Sequence, residues 1–489
     1  LSLHDALPIC ERVNDGGLGR LRSRLQPAPG MPSSAHPNVL VFFTDQQRHD
    51  TTGVHGCPLG LTPNFDRLAQ AGTHLANSFT CQPVCGPARS CLQTGLYATQ
   101  TGVWRNGLRP HAHLPYLARS FNAAGYHTGY IGKWHLMPHE FPGAVPREAQ
   151  GGYQTWLGAN LLEFVSDAYD TRLWDQDGRE HRLPGYRVDA LADAAIRFLD
   201  QRARAAEPFF LFLSFLEPHH QNHRDDYPAP AGTDTAYVGS WLPPDLATLG
   251  GTARQHWPGY CGMIKRLDDA LGRVQDALRS LGLLDRTVVL HTSDHGNHFK
   301  TRNAEYKRSC HDASLRVPTA LAGPGFDGGG RVRQLVSLVD LPPTLLDAAG
   351  LPVPSEMSGR SIRPLLGGRP APDWPEEIFA QISESQTGRC VRTQRWKYSV
   401  QCPDRDAQGQ PVSLPGAAVY ADDCLYDLVA DPWELNNLVG LPSHAAVVAR
   451  ARERLVRRMT AIGEPAPDFI DAPSRACFQQ RVAPAEADE

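Results

Sequence analysis

The sequence Asn-Val-Leu-Val-Phe-Phe-Thr-Asp-Gln-Gln, residues 38 to 47, joins an apolar run to a polar turn. Residues 39 to 43 are all apolar, with β-branched and aromatic members. This pattern is typical of a strand that is buried on both faces of a sheet. Because ligands of open α/β sheets bind beyond the carboxyl ends of strands, Asp45 lies where a binding site is expected. Taken alone, an Asp in such a turn is more often a cap residue than a ligand.

Four further segments that resemble strands alternate with segments of helical period. Strands are predicted at 126–132, 209–215, 287–292 and 319–322. Apolar spacing predicts helices at 62–69, 116–124, 187–203, 260–282 and 342–349. Strands that alternate with helices predict an α/β fold. Residues 142–186 show no clear period and are interpreted as an inserted loop region that shapes the mouth of a binding site.

Three of the predicted strands end in residues that can bind an anion or a metal ion. These are Lys133 and His135 after the first strand, His219 and His220 after the second, and Asp294 and His295 after the third. Two acidic turns on neighbouring strands can supply oxygen and nitrogen ligands to one divalent ion. A single Lys-x-His or a His-rich turn is also common in solvated loops, so the sequence leaves both interpretations open.

A stretch rich in Gly and Pro, residues 367–373, separates this region from a smaller C-terminal one. Beyond it, the sequence predicts antiparallel strands at 388–393, 397–400 and 424–428 and an amphipathic helix at 445–462. We therefore predict a large catalytic domain at 37–368, a small sheet-and-helix subdomain at 375–470 and a tail at 471–489. Residues 1–36 begin without Met and are interpreted as a non-native or disordered leader, with Met31 as the candidate start.

The 489-residue chain has a formal net charge of -4. This charge excludes recruitment of nucleic acid or an anionic membrane by bulk electrostatics, so an anionic ligand needs a local cationic pocket. No apolar run approaches about 18 residues, which argues against a membrane span. The start lacks the apolar core of a secretory signal. Cytoplasmic residence is the default expectation, and a periplasmic or secreted location stays open if the true start is missing.

The eleven cysteines follow no repeating spacing, so most are expected to be free thiols. Three of them, Cys81, Cys85 and Cys91, lie close together in sequence. Pro87 fits the first turn of a helix, which places Cys85 at a helix N-terminus, where the dipole and free N–H groups favour an oxyanion. Two alternatives are half of a zinc site and a Cys81–Cys85 disulfide. The first lacks a Cys-x-x-Cys pair, and the second needs an oxidising compartment.

The pentapeptide Cys85-Gly86-Pro87-Ala88-Arg89 has the form Cys-x-Pro-x-Arg. It resembles the signature by which type I sulfatases have a cysteine converted to formylglycine. The other motifs resemble that family in their order, which is Asp45-Gln46, Lys133-x-His135, Pro218-His219, Asp294-His295-Gly296, and Lys307 ahead of Arg316-Val317-Pro318. Segments 391–398 and 425–438 resemble the small domain of the same family.

The resemblance implies an alkaline-phosphatase-like α/β fold, in which helices sandwich a large mixed sheet and a smaller C-terminal α+β subdomain follows. It implies that Cys85 is converted to formylglycine by a formylglycine-generating enzyme and becomes the nucleophile. It also implies a divalent cation, usually Ca²⁺ with Mg²⁺ or Mn²⁺ as alternatives. The ligands implied for this cation are Asp45, Gln46, Asp294, His295 and the modified Cys85.

The implied reaction is hydrolysis of an organic sulfate monoester, with a sulfated carbohydrate as the preferred substrate class. In that reaction, positive charge on Arg89, Lys133 and Lys307 offsets charge on the sulfate. His135 orients and deprotonates the nucleophile, and either His219 or Lys307 protonates the departing alcohol. The neighbouring His220 is the alternative to His219 for this role.

Several positions depart from the commonest family pattern. Gly86 and Ala88 stand where hydroxyl residues are frequent, and His311-Asp312 stands where Tyr-Glu is usual. Gln46 and His295 replace a common Asp and Asn. These last two keep open a phosphonate monoester or phosphodiester hydrolase of the same superfamily. An inactive anion-binding scaffold is a second alternative.

Overall fold

The computed structural model describes residues 36–368, 370–475 and 482–489. Its larger sheet has the strands β1 (Asn38–Thr44), β2 (Thr73–Phe79), β3 (His127–Lys133), β4 (Thr155–Ala159), β5 (Thr171–Asp175), β6 (Glu180–Leu183), β7 (Phe209–Ser214), β8 (Thr287–Ser293), β9 (Thr319–Ala322) and β10 (Gly330–Ser337). A second sheet has β11 (Ile378–Ile382), β12 (Gly388–Arg392), β13 (Trp396–Gln401), β14 (Val419–Asp427) and β15 (Asp468–Ile470). The leader predicted at 1–36 lies outside the described residues, apart from His36.

Helices connect most of the strands. They are α1 (Pro63–Ala71), α2 (Cys85–Thr94), α3 (Ala98–Thr101), α4 (Leu117–Ala123), α5 (Leu162–Val165), α6 (Arg187–Ala203), α7 (Pro244–Thr248), α8 (Ala253–Ser280), α9 (Asp312–Leu315), α10 (Leu341–Ala348) and α11 (Ala445–Ala461). Among the described helices, none combines the length and the apolar character that crossing a membrane requires.

The alternating side chains of β1 explain why its sequence is apolar throughout. Val39, Val41 and Phe43 pack into a core that also contains residues of α2, α4 and α10. Leu40 and Phe42 point the other way, into a core with residues of α1, α6 and α8. Helices therefore cover both faces of the sheet, and the predicted α/β sandwich is confirmed.

The strand order brings four carboxyl ends to one edge of the large sheet. The order is β10-β2-β9-β8-β1-β7-β3-β4-β5-β6. The neighbouring pairs β8 with β1, β1 with β7, and β7 with β3 are all parallel. β9 runs antiparallel to both β2 and β8, so the sheet is mixed, as predicted. The loops that follow β8, β1, β7 and β3 consequently meet at a single place.

The interpretation of 142–186 as a loop region is wrong for three segments. β4 pairs with β3, and β5 and β6 extend the same sheet to its edge. These strands are short, and in β6 the side chains alternate between exposed and half-buried. An edge strand with one solvent-exposed face contains no apolar run. Its position is therefore specified by pairing with the neighbouring strand and not by a pattern in its own sequence.

One face of the second sheet packs against α11, and the other face packs against the large domain. Val391 and Tyr398 share a core with Leu455 and Met459 of α11. On the opposite face, Cys390 and other residues of this sheet pack with Phe79 at the end of β2. The antiparallel strands and the helix predicted here are present. The sheet also contains β11 and β15, which the sequence pattern did not predict. The exact domain boundaries stay a prediction.

Candidate active site

The edge where the four parallel strands end collects the predicted site residues. Asp45 and Gln46 follow β1, Asp294 and His295 follow β8, Lys133 ends β3, and His219 follows β7. Cys85 begins α2, and Lys307 lies in the loop between β8 and α9. The fold thus brings together residues that lie far apart in the sequence. Asp45 and Lys307 are separated by 262 positions.

Cys85 is buried at the first position of α2. Its Sγ lies 2.8 Å from Lys307 Nζ, 3.4 Å from His295 Nε2 and 3.6 Å from Asp45 Oδ1. Burial and the Asp45 carboxylate oppose ionisation, but Lys133 and Lys307 lower the pKa of this thiol to about 7. The surroundings therefore stabilise negative charge at the end of the residue 85 side chain.

The N–H groups at the start of α2 are largely engaged within the protein. The Gly86 N–H donates to Asn106 Oδ1 at 2.9 Å. The Ala88 N–H donates to Val84 O at 2.9 Å, and Pro87 has no N–H to give. The helix therefore acts on a bound anion mainly through its dipole, which corrects the expectation of several free N–H donors.

Asp45, Cys85, Asp294 and His295 form a compact group whose ligand atoms all lie within 4.8 Å of one another. Asp294 Oδ1 accepts hydrogen bonds from the N–H groups of Gln46 at 2.9 Å and His295 at 2.8 Å. Asp294 Oδ2 has no hydrogen-bond partner among the described residues. Burial and the charge of Asp45 raise the pKa of Asp294 to about 7. Asp294 Oδ2 forms an ion pair with Arg89 Nη2 at 3.5 Å. Carboxylate oxygens and an imidazole nitrogen gathered in one buried group are ligands that suit a divalent metal ion.

His295 has the tautomer that a metal ligand needs. Its Nδ1 lies 3.0 Å from Gly296 O. Because a carbonyl only accepts, Nδ1 carries the proton and Nε2 presents a lone pair. Nε2 lies 3.5 Å from Asp294 Oδ1, inside the group. Gln46 Oε1 accepts from Lys307 Nζ at 3.3 Å, the same atom that contacts the thiol.

Two buried cations neutralise Asp45. Lys133 Nζ and Arg89 Nη2 each lie 2.8 Å from Asp45 Oδ2. Although burial opposes its charge, Lys133, His219 and Arg89 hold the pKa of Asp45 well below its usual range. Arg89 also donates to Ser214 Oγ at 2.7 Å. Arg89 therefore binds the Asp45 carboxylate directly. It would act on a bound substrate only as a nearby positive charge.

The structure separates His219 from His220. His219 Nδ1 lies 2.6 Å from His220 O, so Nδ1 carries the proton, and its Nε2 lies 3.1 Å from Lys307 Nζ. The His220 ring stacks on His219 at 4.3 Å and contacts the Tyr306 ring at 4.5 Å. Burial and Lys307 hold the pKa of His219 well below its usual range. Of the two histidines, His219 is the one that contacts the lysine beside the thiol.

Glu163 belongs to the site although the sequence did not indicate it. This buried residue of α5 places Oε1 3.0 Å from Lys133 Nζ and 3.4 Å from His135 Nδ1. Burial opposes its charge, but Lys133 and His135 lower the pKa of Glu163 to about 2. His135 in turn lies beside the Cys85 side chain and helps to lower the pKa of its thiol. No local motif marks Glu163, because α5 is only four residues long.

Comparison with known proteins assigns the family. The family model described as Sulfatase matches residues 37–351, which is more than half of the chain. The chain belongs to the sulfatase family. A second model, described as N-sulphoglucosamine sulphohydrolase, C-terminal, matches residues 304–407 of this sulfatase. The resemblance found in the sequence is confirmed, and the protein is an enzyme that hydrolyses sulfate esters.

Individual relatives agree with this assignment. The sulfatase is 31% identical to "Uncharacterized sulfatase YidJ" of Escherichia coli over 88% of this chain and 88% of that protein. It is 25% identical to "N-acetylglucosamine-6-O-sulfatase" of Bacteroides thetaiotaomicron over 85% of each chain. Its fold is similar to that of a protein solved in complex with its substrate D-glucosamine-2-N,6-O-disulfate. That match has a TM-score of 0.71 at 23% identity and covers 88% of this chain and 99% of the other.

Cys81, Cys85 and Cys91 do not act as a set. The nine cysteines in the described part of the sulfatase are free thiols, so the Cys81–Cys85 disulfide is wrong. Cys91 and Cys81 are both fully buried in the same hydrophobic core. Neither belongs to the metal group around Cys85. The three cysteines therefore do not form half of a zinc site.

Replacing Glu163 with Gln is expected to lower kcat of the sulfatase by about 10- to 100-fold, the effect typical of a residue that orients catalytic groups. The amide keeps the shape but removes the charge that faces Lys133 and His135. Steady-state kinetics and thermal unfolding of the variant measure the effect. Glu140→Gln, on an exposed loop, is the matched control and should leave kcat unchanged. An unchanged kcat in folded Glu163→Gln protein would contradict the role of Glu163.

Proposed function

We propose that this sulfatase hydrolyses sulfate monoesters of saccharides with a formylglycine made from Cys85 and a divalent cation bound by Asp45, Gln46, Asp294 and His295. The observation that carries the proposal is the buried metal group around Cys85, in which Asp294 Oδ2 lacks a hydrogen-bond partner among the described residues. The name of the N-acetylglucosamine-6-O-sulfatase relative supports the saccharide class.

The formylglycine and the divalent cation have one task in this proposal, and the other side chains of the site have another. When present, the formylglycine hydrate supplies a nucleophilic hydroxyl and the cation, with Ca²⁺ as first choice and Mg²⁺ or Mn²⁺ as alternatives, offsets charge on the sulfate. Oxygen ligands from two carboxylates and an amide suit such a hard cation, and His295 adds a nitrogen. Lys133 and Lys307, which already stabilise negative charge at residue 85, would bind the sulfate oxygens.

His135 and Glu163 handle the proton at the nucleophile in this proposal. His135 lies beside the residue 85 side chain and helps to lower the pKa of its thiol, and Glu163 Oε1 lies 3.4 Å from His135 Nδ1. Burial lowers the pKa of His135, so its ring is neutral near pH 7 and can accept a proton at the nitrogen that faces residue 85.

The proton for the departing alcohol comes from the pair formed by Lys307 and His219. Their Nζ and Nε2 atoms lie 3.1 Å apart, and Lys307 Nζ reaches the residue 85 side chain. An alkoxide is a poor leaving group at neutral pH, so a saccharide sulfate needs this proton. An aryl oxide leaves without it.

Replacing His219 with Ala is therefore expected to slow a saccharide sulfate by about 100-fold or more but an activated aryl sulfate by less than about 10-fold. Comparing kcat on both substrates measures this leaving-group dependence. The control is His220→Ala, which removes only the stacked ring and should slow both substrates equally. Equal losses on both substrates in His219→Ala would contradict its role at the leaving group.

Substrate preference separates the proposal from a phosphonate monoester hydrolase. A screen of sulfated mono- and disaccharides, run beside an aryl sulfate and an aryl phosphonate monoester, is expected to give the highest kcat/KM on a saccharide sulfate. Predominant phosphonate turnover would overturn the proposal. Lack of turnover by protein that contains metal and formylglycine would favour the inactive scaffold.

A further inference from the structure

A second group of metal-ligating side chains lies outside the active site. Cys310, His311 and Cys424 are all buried, and one ligand atom from each lies within 4.8 Å of those of the other two. Cys310 and His311 belong to the loop between β8 and α9, whereas Cys424 lies on β14 of the second sheet. We propose that these three residues bind a thiophilic divalent cation, with Zn²⁺ as the best match.

The donor set favours zinc over the hard cations suited to the active site. Two cysteine sulfurs and one imidazole nitrogen select borderline-soft metals in tetrahedral geometry. Two thiolates about 2.3 Å from a tetrahedral ion are about 3.8 Å apart. The ligand atoms of the three residues lie within 4.8 Å of one another, a spacing close to that value. Binding deprotonates both thiols, and the two protons pass to solvent.

His311 is oriented by hydroxyl groups on both sides of its ring. Nδ1 lies 3.2 Å from Ser309 Oγ, and Nε2 lies 3.0 Å from Tyr426 Oη. Whichever nitrogen binds the ion, the other keeps a hydroxyl partner that fixes the ring plane. A hydroxyl can donate or accept, so the displaced one can bond water instead.

A cavity gives the ion a route to the three residues. It has a volume of about 720 Å³, and its lining includes Cys310, His311 and Cys424 together with Asp423 and Gln386. The cavity is large enough for hydrated ions to enter, and a water molecule from it can fill the fourth coordination position.

The proposed site would fasten the loop that carries Lys307. Cys310 follows Lys307 by three positions, and Lys307 Nζ contacts the residue 85 side chain. An ion shared with Cys424 ties this loop to β14, so the second sheet would help to hold the catalytic lysine in place. Cys390 lies in the same apolar cluster but outside the ligand group, which makes it the matched control.

Cobalt titration tests the site separately from catalysis. The protein used is Cys85→Ala, stripped of metal, so that the active site contributes no thiolate. Added Co²⁺ is expected to give a thiolate-to-cobalt charge-transfer band that saturates at about one ion per chain. The band should persist with Cys390→Ser and disappear with Cys310→Ser plus Cys424→Ser. Absence of the band in Cys85→Ala, or its persistence in folded double variant, would overturn the proposal.

Thiol labelling covers the case in which the double variant does not fold. Iodoacetamide is applied to Cys85→Ala with and without Zn²⁺, and the modified peptides are counted by mass spectrometry. Zinc should lower labelling of Cys310 and Cys424 at least several-fold and leave Cys390 unaffected. Equal labelling of Cys310 and Cys424 with and without zinc would contradict a metal site.

Discussion

Cys85→Ala is expected to lower sulfatase turnover by at least about 10⁴-fold, the scale seen when a nucleophile is removed. The substitution removes the side chain that the site is built around. Lys307 approaches its sulfur at 2.8 Å, and Lys133, Lys307 and His135 all favour negative charge there. Alanine lacks the thiol that conversion to an aldehyde requires, so the remaining charges can bind sulfate but have no nucleophile beside them.

Cys91→Ala is the matched control for this experiment. Cys91 lies in the same helix and is as buried as Cys85, but its thiol contacts Cys81 in the core. Its replacement is expected to lower the free energy of unfolding by about 1 kcal/mol and to leave kcat largely intact. Cys81→Ala should behave in the same way. Equal loss of turnover from all three replacements would support a functional thiol cluster.

Asp294→Asn is expected to lower kcat/KM by about 10³-fold and to weaken binding of the divalent cation. The amide oxygen can still accept the hydrogen bonds from Gln46 and His295. What is lost is the charge of a carboxylate whose Oδ2 has no hydrogen-bond partner among the described residues. Metal content and kinetics of the purified variant measure both effects.

In the metal-free protein, the same substitution is expected to stabilise the fold by about 1 to 3 kcal/mol at pH 8. Burial and Asp45 raise the pKa of Asp294 from 3.8 to about 7, so ionisation of Asp294 destabilises the folded state above that pH. The gain should shrink as the pH falls from about 7 towards 3.8, because the unfolded state then also becomes protonated. Denaturant unfolding at several pH values measures it.

The exposed Asp177→Asn provides the matched control for Asp294→Asn and should change neither stability nor activity. If Asp294→Asn were less stable than the parent in metal-free form and kept its activity, Asp294 would be a structural residue. A metal-induced rise in melting temperature that is the same in parent and variant would exclude Asp294 as a ligand.

The active-site residues could be found in the sequence because parallel strands place them at one edge. Asp45 and His219 follow long apolar runs, whereas Lys133 and Asp294 follow strands that also contain polar residues. The sheet order brings these four chain segments together. A buried parallel strand needs apolar residues on both faces, so its end is easy to recognise. The Cys-x-Pro-x-Arg motif then selected Cys85 from its neighbours.

Other features had no local signal. Glu163 lies in a helix of four residues and acts through contacts with Lys133 and His135, which only the folded chain provides. The strands β4, β5 and β6 are only four or five residues long and contain no long apolar run, so their positions depend on pairing, with β4 on β3, β5 on β4 and β6 on β5. The proximity of Cys310 to Cys424 depends on how the second sheet packs against the large domain.

Mass spectrometry of the tryptic peptide that contains residue 85 tests the proposed mechanism most directly. The purified, active protein is reduced and alkylated before digestion, so that an unmodified thiol becomes carbamidomethylated. We expect a peptide with the mass of formylglycine at position 85, in an amount that scales with kcat among preparations. Active protein in which position 85 appears only as carbamidomethylated Cys would contradict the mechanism.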